Sequence, residues 1–195
     1  MRKQHFAFVL AALVCLGALV GCTVTTHDKD NAKNGKKDDV DIHTPFGSLS
    51  VRQDQTNVKD TGLTAYPGAQ PRKDSDDDEH DNANVNISSS LFGLKVVAMK
   101  FKSDDAPDKV LAFYRKDMGK YGKVVDCTGG FNMSFHHHDQ DAEVTCDGHE
   151  SDHEYKEVLK VGTENNQRVI AVGPSGKGSV FTLVYVRAWD KKDTM

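Results

Sequence analysis

Residues 104–122 read DDAPDKVLAFYRKDMGKYG, and this stretch carries the clearest helical pattern of the 195-residue chain. Pro107 falls in the expected first turn, where a missing backbone N–H costs nothing. The apolar side chains that follow recur with helical spacing on one face; they are Val110, Phe113, Tyr114, Met118 and Tyr121. Such a stripe usually packs into a core. The pattern therefore predicts one amphipathic helix that lies against other elements.

Patterns typical of β-strands precede and follow this helix. They occur at residues 44–54, 83–88, 91–102, 123–127, 142–146, 155–163, 167–173 and 179–189. The links between the later ones are rich in turn residues. One helix followed by a run of strands with short turns is typical of an α+β domain. We therefore expect an α+β fold with one amphipathic helix packed on a mainly antiparallel sheet of about five to seven strands.

The first 21 residues have the pattern of an export signal. Arg2 and Lys3 precede an apolar run over residues 6–21, which is shorter than the roughly 20 residues that a membrane-spanning helix needs. The run ends in Leu19-Val20-Gly21-Cys22, which resembles the lipobox of bacterial lipoproteins. The resemblance implies removal of a signal peptide, lipidation of Cys22 with acyl chains such as palmitate, and attachment to the membrane. A plain signal peptide or an uncleaved anchor is the alternative.

The residues after Cys22 suggest a tether and then a single domain. Residues 23–43 are mostly charged and polar and cannot bury enough surface to offset the entropy of ordering. We expect Cys22 and a flexible tether over 22–43, a globular domain over 44–190 and a polar tail over 191–195. A tether of this length reaches about 25 Å as a random coil. Thr23, where related lipoproteins of the inner membrane often have aspartate, slightly favours the outer membrane.

Two cysteines, Cys127 and Cys146, remain in the expected domain once Cys15 leaves with the signal peptide and Cys22 is lipidated. Exported chains meet an oxidising compartment, where two remaining thiols usually pair. We therefore predict a Cys127–Cys146 disulfide, which would restrict the unfolded chain by about 3 kcal/mol. The alternative is a thiolate metal site, which would need both sulfurs reduced.

The charge of the mature chain bears on its partners. Removing residues 1–21 takes two basic residues and no acid from totals of 25 and 29, which leaves a net charge of −6. A mildly acidic chain argues against nucleic acid, because phosphate neutralisation needs clustered Lys and Arg. A nucleotide is not expected either, since Gly178 follows Lys177 in GPSGKG (173–178) where a phosphate-binding loop needs Ser or Thr.

Five of the nine histidines lie in one polar stretch, at positions 136, 137, 138, 149 and 153. Neutral imidazole is a good ligand for Zn²⁺, Cu²⁺ and Ni²⁺. In an extended chain His136 and His138 would lie on one face about 6.6 Å apart, and His149 and His153 have helical i, i+4 spacing. One interpretation is a metal site formed by His136, His138, Asp139, His149 and His153. The others are a solvated loop and a pH-responsive imidazole cluster.

Catalytic patterns are not found. The chain has neither a G-x-S-x-G nucleophile elbow nor an H-E-x-x-H zinc helix, and its acidic runs lack the spacing of a calcium-binding loop. We therefore expect no enzyme and no resident cofactor, with a transition metal as the exception named above. A hydrolase whose site has no recognisable motif is a third interpretation.

GLTAYPGA (62–69), KSDDAPDKVLAFYRKDMGKYG (102–122) and VVDC (124–127) resemble segments of a group of bacterial secreted lipoproteins. The group shares a YPGA turn, a PxKVxxFYR helix and a following β-meander, and the similarity covers residues 44–190. It implies a compact α+β envelope domain with no established activity. It supplies no catalytic residues.

These observations predict a lipid-anchored cell-envelope protein that faces the periplasm. We expect a non-enzymatic interaction or envelope-maintenance module whose partners are the membrane, through its lipid, and an unknown envelope protein. The alternative is a periplasmic transition-metal-binding protein that uses the 136–153 histidines.

Overall fold

The computed structural model describes residues 23–27, 39–52, 56–72, 82–128, 142–146 and 155–190. Ten strands form one antiparallel sheet. They are β1 (Thr23–His27), β2 (Asp39–Thr44), β3 (Gly47–Arg52), β4 (Gln70–Pro71), β5 (Asn82–Ser89), β6 (Phe92–Ser103), β7 (Val125–Thr128), β8 (Glu157–Thr163), β9 (Asn166–Ser175) and β10 (Gly178–Asp190). Their order is β1-β2-β3-β5-β6-β10-β9-β8-β7, and β4 pairs with β6 beside this path.

This architecture corrects the expected α+β fold. Over the described residues the sheet has ten strands instead of five to seven and is accompanied by one short α-helix, so the fold is predominantly β. Two of the additional strands, β1 and all but the last residue of β2, lie in the stretch 22–43, which we expected to be a tether. Pairing with neighbouring strands explains why they form: Val40 and Ile42 of β2 lie opposite Val51 and Leu49 of β3. Ladder bonds and cross-strand contacts with β3 stabilise a segment that is too polar to signal a strand alone.

The helix, α1, spans Pro107–Met118, and a 3₁₀ turn over Gly119–Tyr121 extends it. It confirms the predicted amphipathic helix, with Pro107 in the first turn. Its apolar face is buried and packs on β8, β9 and β10; this face comprises Val110, Leu111, Tyr114 and Met118. We call the face of the sheet that carries α1 the helix side, and the other face the far side.

The central strands are buried on both sides. Along β10, Phe181, Leu183 and Tyr185 join the core of the helix side. Val180, Val184 and Val186 of the same strand belong to a second buried cluster on the far side. That cluster consists of Cys127, Tyr155, Val158, Val169, Ala171, Val180, Val184 and Val186. Burial on both faces explains why VFTLVYV (180–186) is almost continuously apolar, where a strand with one wet face would alternate with polar residues.

Candidate functional site

The predicted disulfide is present between Cys127 and Cys146, whose Cα atoms are 5.5 Å apart. Cys127 lies on β7 opposite Val158 of β8, so the sulfurs adjoin the far-side core. The disulfide holds residues 142–146 next to β8, in the direction beyond Val125, the first residue of β7. There the Val144 N–H donates to the Gly162 carbonyl at 3.1 Å. Residues 142–146, which we predicted as a strand, contribute an isolated bridge between Glu143 and Thr163.

The other predicted site residues lie outside the described residues: Cys22, His136, His138, Asp139, His149 and His153. The metal site and the lipid site therefore stay predictions. Within the described ranges, no group of three or more His, Cys, Asp or Glu side chains lies close enough together to hold a metal ion. None of the helices in those ranges is long and apolar enough to cross a membrane.

The YPGA turn belongs to residues 56–72, here called the strap, which lies against α1 and β10. Its anchor is Tyr66, whose ring meets Phe113 edge-on at 5.1 Å and Phe181 at 6.1 Å between ring centres. The Ala69 N–H donates to the Tyr66 carbonyl at 3.1 Å, and Gly68 adopts the left-handed conformation (φ 77°) that closes the turn. The turn thus places an aromatic side chain against the core of the helix side.

Tyr66 also carries a polar contact. Its hydroxyl donates to Asp105 at 2.8 Å, and the Lys109 ammonium donates to the same carboxylate at 2.8 Å. Burial, and then the bond to Asp105, raise the pKa of Tyr66. The hydrogen bonds from Lys109 and Tyr66 lower the pKa of Asp105. These shifts stabilise the neutral phenol and the charged carboxylate, which suits a structural contact and not a group that exchanges protons near neutral pH.

Arg168 fastens the other end of the strap. Its guanidinium carbon lies 3.5 Å from the centre of the Tyr121 ring and 4.7 Å from that of Tyr185. Its Nε donates to the Thr61 carbonyl at 3.0 Å, and the Tyr121 hydroxyl donates to the Gly62 carbonyl. The sequence reading missed Arg168 because it stands in an apolar strand pattern. A lone arginine among the apolar residues of that strand was the signal that could have revealed it.

The strap also covers a small cavity of about 30 Å³. Its walls are largely aromatic and include Tyr66, Phe101, Tyr114 and Phe181. Burial raises the pKa of Tyr114 well above its usual range, so this phenol remains neutral. The cavity is too small for an organic ligand, because such ligands occupy about 300 Å³ or more.

A wider polar depression of about 680 Å³ lies where β6 ends and β10 begins. Its walls are Gly68, Gln70, Lys102, Ser103, Asp104, Ser175, Lys177, Gly178 and Ser179. The Ser179 hydroxyl is buried without a hydrogen-bond partner. A nucleophilic serine needs an adjacent base such as histidine, and none of the described residues that line this depression is a histidine. Its mixed charges can hold solvent and small ions.

Among the described residues, the large apolar side chains that are exposed lie at two hairpin turns. They are Phe46, in the turn between β2 and β3, Leu91, in the turn between β5 and β6, and Phe92, the first residue of β6. Because β3 and β5 are neighbours, with Gly47 opposite Ser89, the two turns lie side by side at one end of the sheet. β10 ends there as well, since Trp189 pairs with Gly93 and Asp190 with Phe92. We call Phe46, Leu91, Phe92 and Trp189 the apolar tip.

Comparison with known proteins adds no relative: no protein-family model matches the chain, and no curated protein or solved structure was found to be similar to it.

Proposed function

We propose that the protein is a lipid-anchored component of the bacterial cell envelope that faces the periplasm, in the outer membrane rather than the inner. The observation that carries this proposal is the disulfide. A Cys127–Cys146 bond suits an oxidising compartment outside the cytoplasm, and it leaves Cys22 of the LVGC motif as the cysteine for lipidation. The resemblance to secreted lipoproteins supports the same location.

Within the envelope we propose a non-enzymatic interaction or maintenance role. Apart from that of Tyr114, which burial raises, the shifted pKa values in the described part of the chain belong to side chains that fasten elements together: Tyr66 with Asp105, Arg115 with Asp126, and Asp117 with Thr64. Structural pairs account for such shifts without a catalytic site. The apolar tip supports an interaction role, because exposed apolar patches mark contact surfaces.

Lipidation is tested with the Cys22→Ala variant. We expect metabolic labelling with palmitate to disappear and the protein to leave the membrane fraction, because the acyl chains supply the anchor. Cys15→Ala is the matched control, since it removes a cysteine of the signal segment and keeps Cys22. Label that persists in Cys22→Ala would contradict the proposal.

The second candidate function is periplasmic binding of Zn²⁺, Cu²⁺ or Ni²⁺ by the 136–153 histidines. One observation favours it: the disulfide closes the chain between residues 127 and 146, which limits how far His136 and His138 can lie from His149. Calorimetric titration with zinc and copper tests it. We expect dissociation constants below about 10 μM, and loss of binding in a His136/His138/His149→Ala variant. His43→Ala, at an exposed histidine of β2, is the control. Binding unchanged by the triple substitution would rule this candidate out.

A further inference from the structure

The apolar tip is unusual in how far its side chains reach into solvent. Phe46 is 80% exposed, Leu91 69% and Phe92 53%. Single exposed apolar residues are normal on protein surfaces, whereas neighbouring ones mark a contact site. Here the turns stand on adjacent strands, which are about 4.8 Å apart in a sheet. Trp189 adds an indole ring at the end of β10, beside the first residues of β6.

The two turns of the apolar tip are also free of charged residues. The two turns read TPFG (44–47) and SSLF (89–92) and contain no charged residue, in a chain of which 28% is charged. Placing these turns in a less polar medium therefore desolvates no ion, which is the main cost of burying polar surface. Two charged residues border the tip outside these turns: Asp190 pairs with Phe92, and the guanidinium of Arg187 lies 5.8 Å from the Trp189 ring centre.

The position of the first residue of β1 indicates what can cover the apolar tip. Thr23, the first residue of β1, pairs with His43, one residue before the β2–β3 turn begins. The sheet therefore starts at the same end as the apolar tip. Cys22 precedes Thr23 directly, and one residue spans at most about 3.6 Å. A lipid on Cys22 would thus emerge next to the tip, and not about 25 Å away as a tether from residue 22 to 43 would allow.

We propose that the apolar tip is a membrane contact that inserts into the interfacial layer of the bilayer holding the Cys22 lipid. This inference rests on the proposed lipid anchor. Phe, Leu and Trp are the side chains that interfacial segments use, with Trp enriched at the level of the headgroups. The sheet then stands on the membrane with the β2–β3 and β5–β6 turns inserted. The β9–β10 turn at Gly176 and Lys177 points away from the bilayer.

The single tryptophan of the chain makes the inference measurable. The full lipidated protein is reconstituted in phosphatidylethanolamine/phosphatidylglycerol vesicles, with and without phospholipids brominated on the acyl chains. Bromine quenches indole only at close range. We expect the Trp189 emission to fall by about half with brominated lipid and to shift to shorter wavelength, because the ring leaves water for the interface.

A Phe46→Ser/Leu91→Ser/Phe92→Ser variant provides the second measurement. Its substitutions are at exposed positions, so the core is unchanged, and Cys22 still holds the protein on the vesicles. We expect quenching by brominated lipid to drop to the level of an indole in water, while the amount of bound protein stays the same. Lys177→Ser, in the turn at the other end of the sheet, is the control and leaves the quenching unchanged.

The outcomes separate this inference from the lipid anchor. Palmitate label on Cys22 without quenching of Trp189 would overturn the membrane contact and leave the anchor. Absence of both would overturn the two together. Shielding of Trp189 from aqueous acrylamide that needs no vesicles and grows with protein concentration would show that a second copy of the chain covers the tip, and would also overturn the membrane contact.

Discussion

Gly93 and Trp189 face each other on the helix side of β6 and β10, and the indole ring occupies the space over the glycine. A Cβ atom at position 93 would lie 2.0 Å from Cε2 and 2.6 Å from Nε1 of Trp189. The glycine is therefore required by close approach of an aromatic ring and not by its backbone angles. The tryptophan of the apolar tip therefore packs directly on the backbone of β6.

Gly93→Ala should destabilise the protein by about 1–3 kcal/mol, because the added methyl group forces the indole or the strand to shift. Urea unfolding followed by circular dichroism measures the loss, since Trp189 fluorescence itself would change. Gly119→Ala is the matched control: Gly119 has helical backbone angles and nothing lies within 4 Å of an added Cβ. We expect this control to be neutral or slightly stabilising. Equal losses in both variants would contradict the role assigned to Trp189.

At the scale of elements, the strap and α1 depend on each other. Asp117 of α1 accepts bonds from the Thr64 backbone N–H at 2.8 Å and from the Thr64 hydroxyl at 2.9 Å. The Lys120 ammonium donates to the same carboxylate at 2.9 Å. Burial alone would raise the pKa of Asp117, but these hydrogen bonds outweigh it and lower the pKa below its ordinary value of 3.8. The charged carboxylate is thus the form that fastens the strap.

The sign of this shift predicts an acid dependence. A carboxyl group with a lowered pKa when folded stabilises the protein fully above its unfolded pKa, and the contribution is lost as pH falls through the folded pKa. Asp117→Asn should therefore cost about 1 kcal/mol at pH 7, and the difference from the natural chain should shrink as pH falls below the ordinary value of 3.8 and through the lowered folded pKa. Urea unfolding at pH 7, 5 and 3 measures it, with exposed Asp104→Asn as the control. A difference that does not change with pH would contradict this role.

The strands that could be predicted from sequence differ from those that could not in where their stabilisation comes from. β8, β9 and β10 bury both faces, so their apolar runs predicted strands whose ends lie within two residues of the observed ones. β1 and β2 carry few apolar residues and exist through pairing, β1 with β2 and β2 with β3. Pairing between distant segments leaves no local signal. The expected strand count was low for this reason.

The candidate sites also differ in whether the local sequence could reveal them. The disulfide could be predicted by counting cysteines, because the compartment and the number of thiols decide it. The apolar tip could not, because Phe46 and Leu91 are 45 residues apart and become neighbours only when β3 pairs with β5. The contacts of Arg168 with Tyr121 and Thr61 likewise join three separate segments.

At the scale of the whole molecule, the sheet needs protection at its edges. β7 is the last strand in the order and has only four residues. An exposed edge offers unpaired backbone groups to other chains. Residues 142–144 extend this edge next to β8, with bonds from Val144 to Gly162 and from Glu164 to Ala142. The Cys127–Cys146 bond joins the short strand to that extension.

Removing the Cys127–Cys146 disulfide should therefore weaken the β7 edge of the sheet and also give the unfolded chain more conformational freedom. We expect Cys127→Ala/Cys146→Ala to lower the free energy of unfolding by about 3 kcal/mol, since the cross-link no longer restricts the unfolded state. Urea unfolding with and without a reductant measures this: the reductant should bring the natural chain to the level of the variant and leave the variant unchanged. Hydrogen exchange locates the effect, because amides of β7 should lose protection before those of β9. A variant as stable as the oxidised chain, or equal loss of protection in both strands, would show that the bond does not hold this edge.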